Sequence, residues 1–98
     1  MLSGAITPQD ISILVVYSNQ FKPKRGDKCI YFEGLPKGSW IRIYDISGHL
    51  IKESQDQEAI WKWDVHDNYG KLVDSGIYIY IVTMEEGLKR IGNMAVIR

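Results

Sequence analysis

Asp74-Ser75-Gly76-Ile77-Tyr78-Ile79-Tyr80 is the stretch on which the fold turns. A period of two puts Tyr78 and Tyr80 on one face of a strand, and that face is read as inward. A tight Asp-Ser-Gly connection followed by Tyr has the spacing of a tyrosine corner. In that device a Tyr near the start of the sixth strand of a sandwich hydrogen-bonds back to nearby backbone. Asp74, Gly76 and Tyr78 are its expected members, with Gly76 allowing the preceding loop to come close. Tyr80 then stands where a disulfide-linked sandwich would carry its second cysteine, so an aromatic core is expected in place of the bond.

Outward from this stretch the chain is a series of short apolar runs separated by turn residues, without a convincing 3.6 period. Strands are expected over residues 12–17, 28–34, 40–46, 49–53, 59–64, 77–84 and 89–97. Ser47-Gly48 and Glu86-Gly87 make hairpin turns, Leu35-Pro36-Lys37-Gly38 is a loop, and residues 65–76 form the longest connection. Residues 1–10 read as a linker or cloning remnant, and residues 11–98 as one domain. The expected fold is an all-β, seven-stranded antiparallel immunoglobulin-like (fibronectin III-like) sandwich. Its expected core is Ile13, Val15, Ile30, Phe32, Ile41, Ile43, Ile51, Trp63, Tyr78, Tyr80, Val82, Met94 and Val96.

Composition narrows the function. Twelve basic and 12 acidic side chains cancel, so the positive excess of a nucleic-acid binder is missing. The densest basic run, Lys22-Pro23-Lys24-Arg25, is followed at once by Asp27 and reads as a solvated turn. Cys29 is the only cysteine, so neither an internal disulfide nor a paired-cysteine metal site can form. No apolar run approaches the length of a membrane span, and residues 1–10 lack the pattern of a signal peptide. An exported domain of this sequence would need its signal elsewhere, as part of a longer protein.

From Val16 to Arg98 the chain resembles the flagellar hook-capping type of immunoglobulin-like domain. It also resembles the related C-terminal sorting domain of bacterial type IX secretion substrates. The matching pieces run in order: VYSNQFKPKRGDKCIYFEGLPKG, IRIYDISGHLIKE, WDVHDNYGKLVDSGIYIYIV and KRIGNMAVIR. Two features depart from the pattern. Ser18-Asn19-Gln20-Phe21 stands where a proline is common, and Trp61 accompanies the family-like Trp63. The resemblance implies a module at the C-terminal end of a larger exported protein, acting as spacer, export tag or surface anchor, with no active site.

Candidate chemistry is sparse. In the acidic loop of Asp64, His66, Asp67, Asn68 and Asp74, the side chains of Asp64, Asp67 and Asn68 could offer oxygens to a hard cation, but the spacing is not that of a calcium loop, and a single His gives no transition-metal triad. Asx-turns with Gly70 and Gly76 account for the same composition. His49 and His66 have no nucleophile placed beside them, and Cys29 reads as an inert strand cysteine. The more promising groups are aromatic. If Ile41 and Ile43 are core, then Trp40, Arg42 and Tyr44 face outward; with Trp61 they form the candidate recognition surface. Arg42 is placed to make a cation–π pair with Trp40. Lys89, Arg90 and Arg98 make the closing strand basic, which suits an edge strand that must resist pairing.

The leading expectation is a non-enzymatic accessory module, without cofactor or metal. It would sit outside the cell or on its surface, with the rest of a parent chain and the secretion or surface machinery as partners. The alternatives are a polysaccharide-binding module using exposed aromatics and a structural domain of a flagellar or surface assembly.

Overall fold

A computed structural model describes residues 14–17, 20–84, 87 and 89–98, without the side chains of 56–58. The expected linker at residues 1–10 and the expected core residue Ile13 lie outside the described residues. The described residues are all-β: β1 (Val15–Tyr17), β2 (Gln20–Phe21), β3 (Ile30–Asp45), β4 (Leu50–Trp63), β5 (Gly76–Thr83) and β6 (Lys89–Val96), with a 3-10 turn at Pro23–Arg25.

The long strands β3 and β4 run antiparallel through two layers. The first part of β3 pairs with β1 and with the last part of β4, through Val16↔Phe32 and Phe32↔Trp61. The last part of β3 pairs with β5 and with the first part of β4, through Ile43↔Tyr80 and Arg42↔Glu53. Beyond β5 follow β6 and then β2. One layer is therefore β1–β3–β4, and the other is β4–β3–β5–β6–β2.

The crossing between layers falls where a loop was expected, at Leu35-Pro36-Lys37-Gly38. Gly34 and Gly38 have φ of 78° and 79°, Ala59 on β4 has 66°, and the register slips three times between Glu33 and Ile41. Bulges bend a strand without ending it, and they accommodate a proline. The buried Ser39 closes the corner by donating its hydroxyl to the Pro36 carbonyl at 2.5 Å. The expected strand pairs 28–34 with 40–46, and 49–53 with 59–64, are thus halves of two bent strands.

Two other expectations need correction. The sheet is not wholly antiparallel, because β2 runs parallel to β6 through Gln20↔Ala95 and Phe21↔Val96. The first strand is out of register by one residue: Leu14 is buried, while Val15 is 55% exposed. A slip of one residue exchanges the two faces of a strand.

The core lies between the layers. Phe32 meets Tyr80 edge to face at 5.3 Å, and Trp63 meets Tyr78 at 5.9 Å, so aromatic pairs bolt one layer to the other. Ile30, Ile41, Ile43, Val82, Met94 and Val96 complete it, with Ile51 only partly buried at its margin. Leu14, Phe21, Leu35, Val65, Val73 and Met84 are also buried, although none of them was expected there.

Gly92 faces Tyr80 across β5 and β6. A Cβ at Gly92 would lie 2.3 Å from the Tyr80 hydroxyl oxygen and 2.4 Å from its Cζ, so the ring occupies the space a side chain would need.

Candidate functional site

Burial of Ile41 and Ile43 turns Trp40, Arg42 and Tyr44 to the outer face of the five-stranded layer, where each is half-buried. The Arg42 guanidinium lies 4.7 Å from the centre of the Trp40 ring, and its Nε donates to Glu53 Oε2 at 2.7 Å. Glu53 is the cross-strand partner of Arg42, so the sheet register itself brings the pair together. An ion pair this exposed adds about 0–1 kcal/mol, so its main effect is to hold the guanidinium over the ring. Beside it, Trp40, Arg42, Thr83 and Met84 line an open groove of about 260 Å³.

Trp61 does not join this surface. It sits opposite Phe32 in the other layer, with ring centres 5.4 Å apart, and packs against the core. Trp40 and Tyr44 share a face but lie four residues apart along a strand, about 13 Å. The structure therefore divides the four candidate recognition residues into a Trp40–Arg42 pair, a separate Tyr44 and a core-packed Trp61.

The Tyr78 hydroxyl donates to the Asp74 carbonyl oxygen at 2.6 Å. Burial pushes the Tyr78 hydroxyl pKa up, and the nearby charges of Asp74 and Asp45 push the same way. Gly76 is not needed for close approach: its φ is not positive, and an added Cβ would come no nearer than 4.0 Å, to Tyr78 Cε1.

The acidic loop has local work to do. Asp67 Oδ1 accepts from the Tyr69 and Lys71 amides at 2.8 and 2.9 Å, and Asp64 Oδ1 accepts from the His66 amide at 3.2 Å. The Lys71 amide is the main cause holding the Asp67 carboxyl below the usual range. Asp45 is held low chiefly by the His49 amide. Asn68 reaches the open side of β4, where its backbone N–H donates to the Ile51 carbonyl at 2.9 Å and its Oδ1 accepts from the Glu53 backbone N–H at 3.1 Å. The loop thus caps a strand edge that would otherwise invite pairing. Among the described residues no group of three His, Cys, Asp or Glu side chains is arranged to hold a metal.

The basic run folds into the turn at Pro23–Arg25, where Arg25 pairs with Asp27 at 2.5 Å and donates to the Gln20 carbonyl at 2.8 Å. On the closing strand, β2 covers only Ala95 and Val96 of the outer edge.

Two surfaces escaped sequence reasoning. On the outer face of the three-stranded layer, Tyr17 and Tyr31 stack at 4.7 Å. Tyr17 donates to Glu33, and that hydrogen bond is the main reason its pKa is pushed up to about 12. The one-residue slip in β1 hid this pair. The second surface is apolar. Ile77, Ile79 and Ile81 point away from the core along β5, and Ile91 of β6 sits opposite Ile81. The signal was the unbroken apolar run from Ile77 to Val82, since alternation is lost when both faces of a strand are covered.

No family model matches the chain, and no curated protein sequence does. Solved structures do. PorZ, an essential bacterial surface component of the type IX secretion system of Porphyromonas gingivalis, superposes with a TM-score of 0.78 at 25% identity. That match covers 92% of this chain and 12% of PorZ. Dimeric latent PorU of the same organism matches with a TM-score of 0.64 at 20% identity, over 86% of this chain and 9% of PorU. The chain therefore corresponds in length to about an eighth of one protein and a tenth of the other.

Proposed function

We propose that this chain is a non-catalytic, immunoglobulin-like accessory module of a larger exported bacterial protein, placed at its C-terminal end and used for type IX sorting or surface attachment. The observation that carries the reading is the fit of nearly the whole chain onto about an eighth of a surface component of that machinery. The order of motifs from Val16 to Arg98 supports the same system. The two-layer arrangement with its Tyr78–Asp74 bond gives a self-contained unit that can be carried at the end of another protein. Its partners are then the rest of the parent chain and the secretion or surface machinery. Its place is the cell surface or the medium.

The test is transport. Residues 11–98 are fused behind a periplasmic reporter and expressed in a bacterium with a type IX system, beside a strain lacking that system. The reading expects reporter on the surface or in the medium of the first strain only. Retention in the periplasm of both strains would sink it.

The resemblance to hook-capping domains motivates an assembly role, and the outward aromatics motivate polysaccharide binding. Neither is favoured: Arg42 lies over the Trp40 ring and Trp61 packs against the core, so Trp40 and Trp61 do not form one open platform for a sugar chain.

A further inference from the structure

One edge of the five-stranded layer is left open. β6 pairs with β5 in unbroken register from Lys89 to Val96, while on its other side β2 meets only Ala95 and Val96. The Ile97 N–H donates to the Phe21 carbonyl at 2.8 Å, on the side away from β5. Backbone groups point alternately to the two sides of a strand, so the N–H and C=O of Lys89, Ile91 and Asn93 point outward as well. Among the described residues no backbone group pairs with them. The open side of β4 is capped by Asn68, whereas here neither a bulge nor a proline blunts a straight strand.

A side chain points at the same gap. Tyr80 reaches across β6, and its hydroxyl stands over Gly92, where a Cβ would otherwise be. Tyr80 is only 6% exposed, yet its hydroxyl has no hydrogen-bond partner among the described residues. It is not sealed off from water either. Polar groups of a core find partners, and this one, bonded to nothing in its own domain, overhangs the open strand.

We propose that this edge pairs, antiparallel, with the same edge of a second copy of the chain, with Ile91 opposite Ile91. The order of side chains makes the edge complementary to itself, as a two-fold contact requires. A shift of one residue would turn one sheet inside out, so only every second register joins like faces. With Ile91 on the axis, Lys89 meets Asn93 of the second copy, and the outward backbone groups of all these residues are bonded. Ile91, 57% exposed, packs on its own equivalent. Arg90 falls opposite Gly92 of the second copy. Its Nη1 bonds the Leu14 carbonyl at 3.2 Å, which leaves other guanidinium N–H groups to donate to the second copy's Tyr80 hydroxyl. Sliding the second copy by two residues one way sets Arg90 against Arg90, and like charges directly opposite repel. Sliding it the other way sets Lys89 against Ala95, which β2 already occupies. The cations of the closing strand therefore select one register. The contact is short, so the dimer is weak and reversible. It does not rest on the sorting or attachment reading.

Sedimentation velocity of the 98-residue chain over a range of concentrations tests this. A monomer–dimer equilibrium is expected. Ile91→Pro removes an outward N–H and none of the bonds to β5, and it is expected to give a monomer. Asn93→Lys sets like charges opposite each other at both ends of the pairing, and should weaken the dimer about three-fold or more. Asn93→Glu sets opposite charges there and should tighten it by a similar factor. Far-UV circular dichroism checks the fold of each variant. Asn93 is exposed, so its two variants decide the matter even where proline disturbs folding. A chain that stays monomeric at every concentration would overturn the proposal. So would a dimer indifferent to both Asn93 changes, because another surface would then hold it. Either result leaves the accessory-module reading standing.

Discussion

Gly92→Ala is the most informative single substitution. The added methyl would sit 2.3, 2.4 and 2.7 Å from the Oη, Cζ and Cε2 of Tyr80. Normal contact requires the ring to retreat by about 1 Å, given carbon contacts of about 3.5 Å. Retreat is obstructed, because the ring is 6% exposed and packs edge-on against Phe32 at 5.3 Å. Overpacking of this kind costs about 1–3 kcal/mol. For a domain of this size each kcal/mol lowers the melting temperature by roughly 4–8 °C, so a drop of roughly 5–20 °C is expected. The background matters. With Tyr80→Leu the obstruction is gone, and alanine in a strand is better than glycine by up to about 1 kcal/mol. Gly92→Ala should then be neutral or slightly stabilising, giving a coupling of roughly 1–3 kcal/mol between the two sites. The assay is urea unfolding of the four proteins of this cycle, followed by far-UV circular dichroism. Equal costs of Gly92→Ala in both backgrounds would refute the placement of the Tyr80 ring over Gly92.

Three further predictions concern the local devices. Tyr78→Phe removes the hydrogen bond to the Asp74 carbonyl and should cost about 0.5–1.5 kcal/mol in the same unfolding assay; an unchanged midpoint would deny it a stabilising role. Asn68→Ala removes the side-chain oxygen that covers the Glu53 amide of β4 while keeping the backbone bond to Ile51, and sedimentation velocity should show self-association rising with concentration beyond that of the parent; a variant that associates no more than the parent would contradict the capping role. The folded pKa values of Asp45 and Asp67 lie below their unfolded values, so their stabilisation is present above about pH 4 and lost as the pH falls through the folded values. Thermal melts between pH 6 and 3 should therefore decline, and Asp67→Asn should flatten that decline; parallel curves would remove Asp67 as a cause.

The all-β class and most of the core were legible because alternation is a strong signal where one face is buried. Ile41, Ile43, Tyr78, Tyr80 and Val82 all point as period two requires. Three kinds of feature were hidden. Bulges kept β3 continuous through Pro36, and no local pattern separates a bulged corner from a loop. In the sequence, residues 11–16 are apolar but for Ser12, which leaves either register open for β1; the choice is made by Leu14 filling the core. Long-range effects were invisible as well. Nothing beside Gly92 announces the Tyr80 ring above it, and Gly76, which stands in a suggestive motif, has room for a side chain. In the candidate site, alternation brought Trp40, Arg42 and Tyr44 to one face, and pairing with Phe32 took Trp61 away from it.

The central claim is that this chain is one module of a larger exported protein. An immunoblot of fractionated native cells, probed with antibody against residues 11–98, tests it most directly. The account predicts a band far above 11.3 kDa in the surface or medium fraction. A band at 11.3 kDa confined to the cytosol would contradict it.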